Sequence, residues 1–198
     1  MLSEDLKFLE HAYDVLNKKY FEGSLTRPVI TIQKTAGAYG HFTPWNSWTA
    51  KSKEYPEINL GAQTLNRDLV ETLATLLHEM VHQYCYDKKI KDTSSNGRYH
   101  NKRFKAEAEV RGLIIERAPG IGWSKTTPQE SFKEFVAKTF KDKISCNRKG
   151  DRGGGGVAGK ASSSTRKYVC PKCSMSVRAT KYVRIACMDC DKQMVVEK

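Results

Sequence analysis

The segment 67–86 constrains the fold of this chain more than any other, because it is the strongest helix signal in the sequence. Its apolar residues recur at spacings of three and four, namely Leu69, Leu73, Leu76, Leu77, Met80 and Tyr84. Asn66 is a good N-cap, and Leu65 and Val70 occupy the two positions of a hydrophobic staple. The opposite face carries a polar stripe, formed by Glu71, Thr75, His78, His82 and Cys85. The pattern predicts an amphipathic helix that packs on a core and presents two histidines one turn apart.

These two histidines belong to the run His78-Glu79-Met80-Val81-His82. Imidazoles at i and i+4 lie on one helix face and can hold one metal ion, while Glu79 between them can act as a general base on water. A catalytic zinc site needs three protein ligands and an open position, so a third ligand must come from elsewhere. The candidates are His100, Glu107, Glu109, Cys85, His11 and His41. His100 is favoured because it begins the next predicted helix after a loop that can fold back over the site, and Glu107 is its main rival.

The rest of residues 1–141 predicts a mixture of helices and strands. Helices are expected at 3–22, at 100–111 and from a capping box at 127–130 to about 141, strands at 29–32, near 38–43 and near 57–60, and a polar loop at 87–99. The three strands are close in sequence, which favours a meander. The pattern therefore predicts the α+β class, with a small antiparallel sheet packed on helices.

Four stretches of the chain share residues and spacing with a known family. They are Gly40-His41-Phe42-Thr43-Pro44, Arg67-Asp68-Leu69-Val70-Glu71-Thr72-Leu73, Leu77-His78-Glu79-Met80-Val81-His82-Gln83-Tyr84 and His100-x3-Phe104. On these residues the chain resembles the SprT-like family, which includes the Spartan DNA–protein crosslink proteases. The resemblance covers most of residues 1–115.

The resemblance implies a zincin-like metalloprotease domain with zinc on His78, His82 and His100 and with Glu79 as the general base. Related sequences often have Gly on both sides of the third histidine. This chain has Tyr99 and Asn101 there, so the resemblance does not fix the local turn or the access of substrate.

A second metal motif lies near the C-terminus, as Cys170-x2-Cys173 and Cys187-x2-Cys190. Each pair can supply two thiolates from a tight turn, which together make a closed tetrahedral zinc site. Residues 168–198 are too few to fold on a hydrophobic core alone, so a metal cross-link is expected. Strands are predicted at 177–180, 182–186 and 193–196, which gives a zinc ribbon with four cysteine ligands. The SprT-like family often carries such a ribbon, so the resemblance extends to this segment.

Positive charge is concentrated in two regions. The chain has a net charge of +12, and residues 141–198 hold 14 basic and 5 acidic residues. A second basic region, 88–105, holds seven basic residues and one acidic residue. Such asymmetry favours a polyanionic partner, most often nucleic acid, over a tail that is only solvated. The candidate DNA contacts are Lys102, Arg103, Arg166, Lys167, Arg178, Lys181 and Arg184, with Tyr168 or Tyr182 stacking on a base.

Between the two metal motifs, residues 142–167 are rich in Gly, Ser and basic residues, which predicts a flexible linker. The expected organisation is a metalloprotease domain at 1–141, this linker, and the ribbon at 168–198. The acidic N-terminus lacks the pattern of a signal peptide, and no apolar stretch is long enough to span a bilayer. We therefore expect an intracellular monomer without membrane contact, located in the cytoplasm or nucleoid, or in the nucleus of a eukaryote.

Together with the motifs and the charge distribution, the resemblance implies a DNA-associated zinc metalloprotease that hydrolyses peptide bonds of proteins bound or crosslinked to DNA, at single-stranded or junction regions. It would hold two zinc ions, one catalytic and one structural. Two alternatives stay open: a nucleic-acid-binding ribbon protein with an idle zincin body, and a general intracellular zinc peptidase without DNA dependence.

Overall fold

The computed structural model describes residues 1–35, 37–95, 97–149 and 165–197. The chain divides into two compact units, 1–150 and 151–198, and each is described by itself. None of the helices in the described ranges has the length and hydrophobicity of a bilayer-spanning segment.

The first unit is a mixed α+β fold built around a central helix. Its elements are α1 (Leu2–Tyr20), β1 (Val29–Gln33), β2 (Gly40–Ala50), β3 (Lys53–Gly61), α2 (Leu69–Asp87), β4 (Thr93–Ser94), β5 (Tyr99–His100), α3 (Lys102–Glu109), β6 (Leu113–Ala118), β7 (Gly122–Pro128) and α4 (Glu130–Thr139). Helix α2 contacts α1, α3 and α4 as well as strands β2, β3 and β7. It is therefore covered on nearly every side, and even its polar residues Thr75, Glu79 and Gln83 are buried.

The core forms where α1 packs on α2, as the spacing of their apolar residues predicts. The fully buried side chains Leu9, Tyr13 and Leu16 of α1 meet the leucines of α2 in one hydrophobic cluster. The prediction that Cys85 belongs to the polar stripe is wrong, because Cys85 lies fully buried within this cluster. The N-cap of α2 is Asp68, whose side chain accepts from the Val70 N–H, and not Asn66.

The first sheet has the strand order β1-β3-β2, so the predicted meander is wrong in one pairing. Strands β2 and β3 form the expected antiparallel hairpin, but β1 pairs in parallel with β3, with Ile30 beside Ile58. Strand β2 is therefore an edge strand. Its register with β3 shifts between Thr43 and Trp48, in a stretch that includes Pro44, a residue confined to edges and bulges of sheets.

A second sheet, with the order β4-β5-β7-β6, was not expected from the sequence. The predicted loop at 87–99 contains β4 and the start of β5, and His100 lies on β5 instead of beginning a helix. Helix α3 begins at Lys102 and is capped by the Asn101 side chain, which accepts from two backbone N–H groups. The predicted capping box is also wrong, because Pro128 ends strand β7 and Gln129 precedes α4.

Residues after α4 still belong to the first unit and contact α1. The backbone N–H groups of Ser145 and Cys146 donate to the carboxylate of Asp5 in α1 (3.0 and 2.9 Å). The first residues of the segment 142–167 are therefore held against α1. Most of the predicted linker, 150–164, lies outside the described residues, and its boundaries stay a prediction.

The C-terminal unit is a small β structure. Its strands are β8 (Arg166–Val169), β9 (Ser176–Ala179), β10 (Ala186–Cys187), β11 (Lys192–Gln193) and β12 (Val195–Val196), in sheets of order β12-β8-β9 and β10-β11. The predicted strand at 182–186 is wrong except for its last residue. Tyr168, Cys170, Cys187 and Met194 form the small buried cluster of this unit.

Candidate metal centre

Three histidines from two elements bring their ring nitrogens together. Helix α2 supplies His78 and His82, and strand β5 supplies His100. The Nε2 atom of His78 lies 3.2 Å from that of His82 and 3.3 Å from that of His100, and the remaining pair is 2.9 Å apart. Tetrahedral zinc with Zn–N bonds of about 2.0–2.1 Å separates its ligand atoms by about 3.3–3.4 Å. The three imidazoles therefore fit one zinc ion, although the Nε2 atoms of His82 and His100 lie slightly closer together than tetrahedral zinc requires.

The opposite ring nitrogens fix the orientation of two of these imidazoles. His78 Nδ1 lies 2.8 Å from Thr126 Oγ1 on β7, and His82 Nδ1 lies 2.5 Å from Asp92 Oδ2. Since Asp92 accepts a hydrogen bond, Nδ1 of His82 carries the proton and Nε2 keeps its lone pair for a metal. His100 Nδ1 is buried and has no hydrogen-bond partner among the described residues.

Burial favours the neutral, metal-binding form of His78 and His100. Burial first, and then the neighbouring His82 and His100, lower the pKa of His78 well below its usual value. Burial and the nearby His82 lower the pKa of His100 to about 4. The ring of Phe104 lies beneath all three imidazoles, with centroid distances of 4.4 to 4.7 Å, and is stacked on His82. An apolar floor of this kind excludes water from the rear of the site.

Glu79 lies beside the edge strand β2 and outside the group of converging histidine nitrogens. Its side chain is buried, at 5 % exposure, and burial raises its pKa to about 7 against the opposing effects of His82 and of a hydrogen bond from the Phe42 backbone N–H. A Cβ atom added to Gly40 would come within 3.3 Å of Glu79 Cγ and 2.8 Å of the Asn59 carbonyl oxygen. A glycine is therefore required for β2 to approach Glu79 this closely.

The other candidates for the third ligand lie elsewhere. Glu107 and Glu109 each form an ion pair with a basic residue four positions away in the chain (2.6 and 3.3 Å). Cys85 is in the core, where burial raises its pKa to about 12. His11 packs against a phenylalanine ring, and His41 lies on β2. Of the candidates weighed from the sequence, only His100 meets the two motif histidines.

Four cysteines form a second group in the C-terminal unit. The Sγ atoms of Cys170, Cys173, Cys187 and Cys190 all lie within 4.8 Å of one another. Those of Cys173 and Cys187 are 3.7 Å apart, close to the spacing of about 3.8 Å expected for tetrahedral zinc with Zn–S bonds of about 2.3 Å. Hydrogen bonds from the backbone N–H groups of Cys173 and Lys172 lower the pKa of Cys170, which favours the metal-binding thiolate.

Each cysteine pair sits in a tight turn that is followed by a residue in the left-handed backbone conformation. Ser174 and Asp191, which follow the second cysteine of each pair, have positive φ angles of 61° and 49°. The Ser174 N–H donates to the Cys170 carbonyl and the Cys190 N–H to the Cys187 carbonyl (3.0 and 3.3 Å). These turns bring both thiols of each pair to one side, so the donor set fits a closed zinc site.

The predicted DNA-contacting residues differ in their surroundings. Lys102 and Arg103 are exposed on the first turn of α3. In the C-terminal unit, Arg166 stacks on the ring of Tyr182 (4.0 Å) and Lys167 pairs with a glutamate (2.7 Å). The remaining three are exposed, namely Arg178, Lys181 and Arg184. Tyr182 is 78 % exposed, whereas Tyr168 is buried. The stacking role for Tyr168 is therefore wrong.

Sequence reasoning missed the residues that orient the histidines. Asp92 is the one acidic residue of the basic region 88–105 and could have been noticed on that ground. Thr126 and Thr127 are a β-branched pair at the end of strand β7. The predicted capping box at 127–130 places a helix start there, so the sequence does not indicate this strand. Of the aromatic residues on β2, Phe42 packs against the core, whereas Trp45 is 66 % exposed.

The comparisons with known proteins address the first unit. The model of the SprT-like family matches residues 9–116, a range that holds the three histidines, Glu79 and Asp92. No curated protein and no solved structure matches the chain. The matched range covers more than half of the chain, and the family is metallopeptidase-like. This protein therefore belongs to the SprT-like family.

Proposed function

We propose that this protein is a zinc-dependent peptidase that cleaves proteins bound or crosslinked to DNA. The observation that carries the proposal is the convergence of His78, His82 and His100 beside the buried carboxylate of Glu79. A site that only stabilised the fold would need no acid–base group next to its ligands. Zinc held by the three imidazoles would supply a Lewis acid that activates water and polarises the scissile carbonyl group.

Glu79 performs the proton transfers in this proposal. Because burial raises its pKa to about 7, the carboxyl group can both accept and release a proton near neutral pH. It takes the proton of the attacking water and passes it to the leaving amine. The hydrogen bond from the Phe42 N–H holds the carboxylate in place between these two steps.

The edge strand β2 is suited to hold an extended substrate beside Glu79. The Gly61 N–H donates to the Tyr39 carbonyl across the hairpin (2.7 Å). By alternation, both backbone polar groups of Gly40 and the carbonyl group of Phe42 point away from β3, towards the open edge, while the Phe42 N–H is engaged by Glu79. Pro44, further along, has no N–H to offer. Substrate backbone can therefore pair over only a short stretch, which suits an enzyme that accepts many sequences.

Two features support a nucleic-acid partner. The C-terminal unit exposes Arg178, Lys181 and Arg184 for phosphate contacts. It also presents the ring of Tyr182, with the Arg166 guanidinium on one face. The other face of such a ring can stack on an unpaired base. In this proposal, DNA binding selects substrates by holding them near a catalytic site that has little sequence preference of its own.

The test is cleavage of casein and of histones by the full chain, with and without single-stranded DNA. Glu79→Gln keeps the shape and the ligands, so it should bind as much zinc as the wild type and cleave nothing. Absence of wild-type cleavage under every condition would refute the peptidase assignment. Equal cleavage with and without DNA would favour a general peptidase. Metal analysis should find two zinc ions per chain, lost separately when cysteine or histidine ligands are replaced.

A further inference from the structure

The chain segment that carries the third histidine is held by a small set of contacts. The Asp92 carboxylate meets His82, and the Asp92 carbonyl accepts from the Asn101 N–H (2.9 Å). The Asn101 side chain donates to the Lys91 carbonyl (2.7 Å), and the His100 N–H donates to the Ile121 carbonyl (3.1 Å). Residues 91–95 and 97–101 therefore form a clasp in which two ligands of the site are connected through Asp92.

His100 is the least supported of the three histidines. His78 and His82 each have a hydrogen-bond partner for Nδ1, but His100 Nδ1 is buried without one among the described residues. It also stands on a strand of two residues, whereas the others stand on a helix of 19 residues. A buried N–H without an acceptor destabilises the arrangement that holds it. The completeness of the site therefore depends on how firmly the clasp is held.

The outer side of the same clasp is strongly basic. The exposed cationic residues of the clasp and of the adjoining first turn of α3 are Lys91, Arg98, Lys102 and Arg103, and none forms an ion pair within the described part of the chain. The acidic residues nearby are already engaged: Asp92 faces His82, and Glu107 and Glu109 pair with Arg111 and Lys105. This clasp surface, defined by the four cations, therefore presents uncompensated positive charge within a few residues of His100.

We propose that nucleic-acid phosphates bind the clasp surface and thereby hold His100 in its ligand position, so that DNA and zinc strengthen each other's binding. Phosphates bridging Lys91, Lys102 and Arg103 would fasten both ends of the clasp at once. By thermodynamic reciprocity, the factor by which DNA raises zinc affinity equals the factor by which zinc raises DNA affinity. The inference rests on the proposed function for the identity of the metal and of the polyanion.

The experiment measures metal affinity of the full chain by chelator competition, with and without a single-stranded DNA oligonucleotide. Cobalt(II) loading separates the two centres, because only the thiolate site gives intense charge-transfer bands. We expect saturating DNA to raise the affinity of the histidine centre about fivefold or more, within the usual range of coupling. The double variant Lys102→Glu with Arg103→Glu should lose this increase. Glutamates suit the first turn of α3, so the fold should persist.

The matched control is Lys143→Glu with Lys149→Glu, which makes the same charge change at exposed positions after α4 and should keep the coupling. Should the first variant fail to fold, Lys91→Gln with Arg98→Gln tests the same surface. DNA that binds without altering metal affinity would overturn the inference, as would full coupling in the clasp variants. If DNA-stimulated, Glu79-dependent cleavage persisted in those cases, the proposed function would stand while this inference failed.

Discussion

Replacement of Asp92 tests whether the contacts behind the histidines control the metal site. In Asp92→Ala, His82 loses a charge-assisted hydrogen bond of 2.5 Å between side chains that are 13 % and 15 % exposed. Removing such an outer partner typically lowers metal affinity 10- to 100-fold, or about 1.4–2.7 kcal/mol. The low exposure limits screening by solvent, so we expect the upper part of this range.

Two further variants test how the loss of zinc affinity depends on the charge of the hydrogen-bond partner. Asp92→Asn retains an oxygen acceptor but not the charge, so its loss in affinity should be smaller, about tenfold. Thr126→Val removes a neutral acceptor from His78 Nδ1 and should cost about 1 kcal/mol, or about fivefold. The structure thus predicts an order of zinc affinities in which Thr126→Val binds most tightly of the three variants and Asp92→Ala least.

The assay is equilibrium competition with a chromophoric chelator at fixed pH, with circular dichroism to verify the fold of each protein. The zinc content of the cysteine site serves as an internal control, since these substitutions lie in the other unit. Wild-type zinc affinity in Asp92→Ala would refute the reasoning. So would a larger loss in Thr126→Val than in Asp92→Ala, because it would mean that charge is irrelevant at this position.

Further substitutions test other contacts. Gly40→Ala should displace β2 from Glu79 and reduce cleavage severely while zinc content stays normal; retained cleavage would contradict the close approach. Phe104→Ala should destabilise the first unit by about 3–5 kcal/mol and weaken zinc binding, as measured by urea unfolding and chelator competition. Although burial opposes it, hydrogen bonds from Ser145 and Cys146 lower the pKa of Asp5. The stability this provides is present above the ordinary pKa of an aspartate and is lost as pH falls through the lower folded value. The gap in unfolding free energy between wild type and Asp5→Asn should therefore shrink in acid; a gap independent of pH would argue against it. Cys187→Ser should unfold the C-terminal unit and weaken stimulation by DNA without abolishing it, because the clasp surface stays intact, while cleavage of casein without DNA persists.

The parts of the site that could be predicted from the sequence are those set by local geometry. His78, Glu79 and His82 follow from the periodicity of one helix, and the cysteine pairs follow from the spacing of a tight turn. The structure brings His100 to His78 and His82, but on a strand instead of the predicted helix. Its strand exists only because β4 and β7 pair with it, and neither neighbour is evident from nearby residues.

The pairings that were missed join residues far apart in the chain. The parallel pairing of β1 with β3 and the whole second sheet depend on contacts that no short window of sequence contains. Asp92 and Thr126 reach the histidines through these pairings. The tertiary fold therefore determines how the ligand side chains are oriented, whereas the local motif indicates only that His78 and His82 are ligands.

The contact of Asp5 with residues 145 and 146 has a consequence for the order of folding. It joins groups 140 positions apart, nearly the full length of the first unit. Contacts of such long range close the largest loop and tend to form after local structure is in place. A contact absent from the transition state alters the unfolding rate and leaves the folding rate almost unchanged. We therefore expect the buried carboxylate of α1 to set how long the first unit stays folded more than how quickly it folds.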